Sequence, residues 1–256
     1  MHWPSAIRCW SPSMRNHLIL LPGWGLGCAA LEPLAASLRA QDAGLKVELA
    51  ALPNLVSDDP QAWLDELDRR LPRDTWLGGW SLGGMLAAEL AARRGDHCCG
   101  LLTFGSNLSF VARADWPDGM PADTFETFVD GCRSHTAVTL KRFKSLCSEG
   151  AQEPRSVIRQ LGVGVPDTDP VLLVKGLEVL GRLDTRAALQ AYGGPQLHLF
   201  AGADELVPAQ AARALSEWLP DVEVGLVEGA SHAFILEYPQ ELAASIKTFL
   251  HESGDD

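Results

Sequence analysis

The sequence predicts an α/β protein: a mostly parallel sheet flanked by helices on both faces, with an inserted helical cap. Three observations predict it. Strand-sized apolar runs alternate with helix-length segments over residues 18–104 and again over 196–250. The alternation stops between about 107 and 185, where helical patterns appear without a convincing strand. The chain has 256 residues, 46% of them hydrophobic and 21% charged, enough for one core with an inserted cap. Alternating strands and helices favour a parallel sheet because each crossover needs a helix to return the chain to the same edge.

In chain order, residues 18–22 form an apolar run with a glycine-rich exit at Gly23, Gly25 and Gly27. A helix over 29–40, a strand over 46–52 and a helix over 60–71 follow, then a strand over 75–79 and an Ala/Leu-rich helix over 83–94. The strand 100–104 ends at Gly105. Within the insertion the helical stretches include 122–133, 137–147 and 170–180. The alternation resumes with a strand at 196–201, a helix at 208–218, a strand at 222–227 and a helix at 239–250. The domain reading is a core of 14–106 and 186–256, a helical cap of 107–185, and a leader over 1–13. Dense hydrophobic patterning begins only after Met14, which makes Met14 an alternative start; a short N-terminal strand is the competing reading.

Composition narrows the function class. A net charge of −12 argues against nucleic acid or an anionic membrane as partner. No apolar run reaches the roughly 18 residues of a membrane helix, and residues 1–12 hold no apolar signal-peptide region. Six cysteines without CxxC or zinc spacing suggest reduced thiols in a cytoplasm and no metal. No cofactor is called for, and a monomer is expected. Charge is uneven, however: Arg133, Lys141, Arg142, Lys144, Arg155 and Arg159 face only Glu149 and Glu153 in the stretch 133–159.

The strongest chemical signal is Gly79-Trp80-Ser81-Leu82-Gly83, followed by Gly84. It fits G-x-S-x-G between a strand and a helix, the context of a nucleophile elbow in an α/β-hydrolase fold. A sharp strand-to-helix turn pushes the serine hydroxyl out at the carboxyl edge of the sheet, and flanking glycines allow the close packing this requires. The N–H of Leu82 then points at a developing oxyanion, helped by the following helix N-terminus. An ordinary glycine-rich βα turn is the bland alternative, but the glycines fit neither GxGxxG nor GxxxxGK[ST]. Chain order for this fold is Ser, acid, His. Asp204 follows a late strand through Gly202-Ala203, with Glu205 as the rival acid. His232 follows the strand 222–227 through Gly229-Ala230-Ser231 and precedes the last helix. The loop after the first core strand, Pro22-Gly23-Trp24-Gly25, offers the N–H of Trp24 as second oxyanion donor. Ser81, His232 and Asp204 thus read as nucleophile, base and orienting acid of a serine esterase.

With these parts placed, the chain resembles the biotin-synthesis carboxylesterases that demethylate pimeloyl-[acyl-carrier protein] methyl ester. The resemblance rests on Leu20-Leu21-Pro22-Gly23-Trp24-Gly25-Leu26, Gly79 to Gly84, Lys141-Arg142-Phe143, Gly176-Leu177-Glu178-Val179-Leu180 and Gly229 to Ala233. It implies substrate contacts at Trp24, Ser81, Leu82, Phe143, Lys144, Ser145, Leu146, Cys147 and His232, and an acyl carrier protein as partner. Carrier docking would fall on Lys141, Arg142, Arg155 and Arg159, although a basic run is also what any solvated face offers. Two positions depart from the family: Pro22 stands where many members have His, and Val138 where a cap arginine is expected. Lys141 or Arg155 are the candidates to compensate. The competing functions are a broad short-acyl carboxylesterase, a carbon–carbon hydrolase or perhydrolase, and a non-catalytic ligand receptor.

Overall fold

A computed structural model describes residues 16–253; the expectations for the leader 1–13 and for a start at Met14 lie outside the described residues. The strands are β1 (His17–Leu21), β2 (Lys46–Leu49), β3 (Thr75–Trp80), β4 (Cys98–Phe104), β5 (Gln196–Ala201) and β6 (Glu223–Val227). They form one parallel sheet in the order β2-β1-β3-β4-β5-β6. The central strands β3 and β5 are buried along their whole length, whereas the edge strands β2 and β6 are partly exposed. That gradient follows from helices covering both faces, which leaves alternation only where the sheet ends.

The core helices are α1 (Glu32–Gln41), α2 (Pro60–Arg70), α3 (Leu82–Arg94), α8 (Gln210–Trp218), α9 (Phe234–Glu237) and α10 (Pro239–Glu252), and the insertion holds α4 (Ala122–Ser148), α5 (Pro154–Leu161) and α6 (Pro170–Arg182), with α7 (Arg186–Ala191) after it. Several boundaries differ from the sequence reading, each for a local reason. The segment 28–31 is a 3-10 turn, and α1 begins only at Glu32, because Pro33 fits the first turn of an α-helix and not its interior. Helix α8 begins two residues later than expected, beyond Pro208. Strand β2 stops at Leu49, with one further bond from Ala50 N–H to the Leu20 carbonyl (3.0 Å). Asp59 and Asp169 cap α2 and α6, accepting from the N–H groups of Gln61 (3.0 Å) and Val171 (2.8 Å) with proline next in line.

The chain leaves the sheet after β4 and returns before β5 at one place. Thr185 donates both its N–H (2.8 Å) and its hydroxyl (3.1 Å) to the Leu108 carbonyl, and Ser109 bridges Asp184. Arg186 clamps this junction by pairing Asp184 (2.6 Å) and Asp115 (2.9 Å), and its guanidinium holds the Asp184 carboxyl below its ordinary range. Between these stalks α4 runs as two helical segments broken at His135, whose φ −146° and ψ 59° are non-helical. Among the described residues, no helix is long and apolar enough to cross a membrane.

Candidate active site

The residues singled out in the sequence sit beyond the carboxyl ends of successive parallel strands, where open α/β sheets bind ligands. Ser81 follows β3, Asp204 follows β5, His232 follows β6, and the Trp24 loop follows β1.

Ser81 occupies a sharp turn with φ 55° and ψ −122°. A non-glycine residue with positive φ is strained by its Cβ and persists only where its surroundings over-determine it. Here its N–H donates to Phe104 O (2.9 Å), and its carbonyl accepts from the Ser106 hydroxyl (2.9 Å) and Gly84 N–H (3.0 Å). The turn closes so tightly that a Cβ on Gly79 would strike the backbone of Gly83. A Cβ on Gly83 would in turn strike the Leu21 and Pro22 carbonyls. Helix α3 therefore starts against the exit of β1, which brings the Leu82 and Trp24 segments together. Leu82 opens α3, so its N–H has no intrahelical partner.

His232 is fully buried and its Nδ1 lies 2.7 Å from Asp204 Oδ2. The other carboxylate oxygen, Oδ1, accepts from the N–H groups of Leu206 (2.8 Å) and Val207 (2.9 Å), which fixes the acid from behind. Glu205, the rival acid, is exposed to solvent. With Nδ1 bound to Asp204, Nε2 is the ring nitrogen left over. Among the described residues it is the buried side-chain polar atom without a hydrogen-bond partner, so Ser81 Oγ does not bond to it in this structure. Catalytic hydrogen bonds are often long before substrate binds and tighten in its complex.

Three contacts hold the His232 loop that the sequence reading did not foresee. Trp80 Nε1–H donates to His232 O (3.0 Å), and its ring lies 5.4 Å from the imidazole, centroid to centroid. Ala233 N–H donates to Cys147 O (3.0 Å) at the end of α4. Glu237 Oε1 accepts from both the N–H (3.0 Å) and the hydroxyl (2.5 Å) of Ser231. No spacing rule marks Glu237; only the fold of α9 turns it back onto Ser231.

The insertion contributes an apolar wall. Trp24 packs edge-on against Phe143 (5.0 Å) and Phe128 (5.7 Å), and its indole N–H donates to Leu173 O (2.7 Å). Phe143 and Cys147 are buried on one face of α4, with Cys147 near enough to Asp204 that burial first and that charge second push its thiol well above its ordinary value. Leu146 and Lys144 are half-buried, whereas Ser145 is exposed and its hydroxyl returns to Lys141 O (3.3 Å), so the structure turns Ser145 away from this wall. Lys141, Arg142, Arg155 and Arg159 are all exposed, as is Val138 at 67%. Arg133 is engaged with Asp130 (2.8 Å) and Glu178 (2.6 Å). Among the described residues, no group of His, Cys, Asp and Glu side chains is arranged to hold a metal, and the cysteines are not disulfide-bonded.

The chain is similar to known proteins in sequence and in fold. The pattern of the Alpha/beta hydrolase family matches residues 5–245. The pimeloyl-[acyl-carrier protein] methyl ester esterase of Aromatoleum aromaticum is 35% identical over 91% of this chain and 97% of its own length. That of Shewanella sp. is 30% identical over 93% and 92%. The biotin biosynthesis bifunctional protein BioHC of Cellvibrio japonicus is 33% identical over 92% of this chain, which spans about half (47%) of that longer protein. Among solved structures, a bromoperoxidase from Bacillus anthracis superposes with a TM-score of 0.79 at 17% identity, over 92% of each chain. An esterase from Exiguobacterium antarcticum gives 0.77 at 17%, likewise over 92% of each; at that identity the likeness speaks for the fold alone. The chain belongs to the α/β hydrolase family and, within it, to the pimeloyl-[acyl-carrier protein] methyl ester esterases.

Proposed function

We propose that this protein hydrolyses the methyl ester of pimeloyl-[acyl-carrier protein], releasing methanol and the free ω-carboxylate, with Ser81, His232 and Asp204 as its triad. The observation that carries the chemistry is the buried Asp204–His232 pair, which leaves Nε2 as the nitrogen to act as base, together with a serine held at positive φ after a neighbouring strand. The substrate is inferred from relatives of that name that match nearly end to end.

In this reading His232 Nε2 takes the Ser81 hydroxyl proton as Oγ attacks the ester carbonyl. Asp204 stabilises the imidazolium through Nδ1–H, and the N–H groups of Trp24 and Leu82 hold the oxyanion. The imidazolium then protonates the departing methoxide as methanol. Water, deprotonated by the same nitrogen, attacks the acyl-enzyme, and the proton returns to Ser81 as the carboxylate leaves. Residues 107–185 act as the cap. Its buried aromatic face meets the acyl chain, and its exposed Lys141, Arg142, Arg155 and Arg159 meet the acidic carrier. An enzyme of net charge −12 needs such a local basic face to bind an acidic protein.

The test compares turnover of the carrier-linked methyl ester with that of free dimethyl pimelate. Arg142→Ala is expected to raise KM about tenfold for the carrier substrate, more at low salt, and to leave the free diester unchanged. Equal efficiency on both esters in the wild type would instead favour a broad short-acyl carboxylesterase.

A further inference from the structure

The Gly176-Leu177-Glu178-Val179-Leu180 segment has no place in the triad chemistry, yet it lies at the centre of α6 and against the Trp24 loop. Gly176 packs against the Cδ1 and Nε1 atoms of the Trp24 indole. A Cβ there would stand 2.9 Å from Trp24 Cδ1 and 3.2 Å from Nε1. One turn earlier on α6, the Leu173 carbonyl accepts the indole N–H at 2.7 Å, across 149 residues of sequence. The flanking Gly25 is confined from the same side: a Cβ on it would stand 2.9 Å from Leu140 of α4 and 3.6 Å from Leu173. In the same loop Gly23 lies on the Trp80 ring, with 3.0 Å left for a Cβ. Glu178 anchors α6 in turn, pairing Lys175 (2.7 Å) and, on α4, Arg133 (2.6 Å).

The two candidate oxyanion donors are therefore held differently. Leu82 N–H is fixed by the backbone of α3 within the core. Trp24 sits in a short loop that packs against Trp80 and the helices of the insertion. We propose that Gly176 and the Leu173 carbonyl are positioning elements for the oxyanion site: α6 grips the Trp24 indole and thereby sets where the Trp24 N–H points. This rests on the reading of Trp24 and Leu82 as the oxyanion donors. It gives the Gly-Leu-Glu-Val-Leu segment a role in the rate of the chemical step and makes that rate sensitive to the placement of the insertion.

Two substitutions test it, Gly176→Ala and Trp24→Phe. The first pushes the indole aside by a few tenths of an ångström; the second removes the N–H donor and keeps an aromatic ring. Both are assayed on p-nitrophenyl acetate, whose acyl group is too small to need the cap. Outright loss of one oxyanion donor costs roughly 10²–10³ in rate, so a displaced donor is expected to lower kcat about tenfold with KM within about twofold. The Ki of a trifluoromethyl ketone, which forms a charged tetrahedral adduct on the serine, should rise by the same factor. The double variant should be little worse than either single one, because both act through one indole. Alanine is also the better helix former, so Gly176→Ala should lower kcat without lowering Tm through α6 itself. Wild-type kcat and Ki in both variants would overturn the proposal, as would a loss of Tm with Ki unmoved. The same assay on Ser81→Ala separates the failures. If that variant hydrolyses the ester at the wild-type rate, the serine reading has failed and takes the positioning proposal with it; if it is inert while Gly176→Ala is unaffected, only the positioning proposal falls.

Discussion

At the carboxyl edge of the sheet, Ser81 and Asp204 are held by buried bonds to backbone groups; the helices of the insertion are tied in addition by ion pairs nearer the surface. Ser81 is set by hydrogen bonds to Phe104 and Ser106 and by glycines whose missing Cβ atoms let α3 close on β1. Asp204 is set by two backbone N–H groups. The insertion is joined to the core by Arg182–Asp58 and to itself by Lys175–Glu178 and Arg133–Glu178, with the two arginines about half exposed. Buried backbone contacts are rigid and insensitive to salt, while exposed ion pairs are weak and screened. The difference suits the proposed function, in which the edge carries the chemistry and the helical layer above it admits the acyl chain.

The largest effect expected is at the edge. Ser81→Ala should cut ester hydrolysis at least ~10⁴-fold while leaving thermal unfolding near wild type, since nucleophile loss removes the covalent route. Activity retained in that variant would dissolve the contrast between the two regions.

A second effect belongs to the sheet interior. His198 of β5 is buried between Thr103 Oγ1 (2.7 Å) and Gln196 Oε1 (3.3 Å), and burial holds its pKa down to about 3 from 6.5. The folded value lies below the unfolded one, so the unfolded chain takes up the proton first. The contribution to stability is complete above about pH 6.5 and drains away as pH falls towards 3. Denaturant titrations across that window should lose on the order of a few kcal/mol. His198→Gln should flatten the slope, and an unchanged slope would show that other groups govern acid unfolding.

Glu237 sharpens the comparison by a smaller step. Glu237→Ala removes both bonds to Ser231 and should lower kcat by up to ~10²-fold through misplacement of the adjacent imidazole. Glu237→Gln keeps an Oε1 acceptor and should recover most of the loss. A purely structural role would lower Tm in both without moving kcat at low temperature.

The smallest effect is on the insertion. Asp58→Asn removes the charge from the 2.6 Å pair with Arg182, whose side chain is about half exposed. The cost should be under about 1 kcal/mol, seen as a slight drop in Tm at low salt that vanishes near 1 M. A larger, salt-independent loss would mean that the insertion is as rigidly built as the edge.

Much of the edge was legible because its signals are local. A strand running through Gly-x-Ser-x-Gly into an Ala/Leu-rich helix is written in consecutive residues, as are the glycine loops before Asp204 and His232. The insertion was less so. The short α5 spans 8 residues, too few for a clear period, although the break at His135 falls where the sequence separates the helices 122–133 and 137–147. Ser145 lies within a stretch assigned to the pocket as a block, yet helical periodicity turns it outward.

The sequence by itself determined the fold class and the family, and it singled out Ser81, Asp204 and His232 as candidates in that order, because strand-turn-helix patterns and chain order survive without any knowledge of packing. Only the tertiary structure decided which partners meet. Asp204 reaches His232 across 28 residues, Trp80 reaches the same loop across 152, and the Trp24 indole reaches α6 across 149. Such pairings depend on how loops from different strands converge at one edge of the sheet, and no local period encodes that convergence.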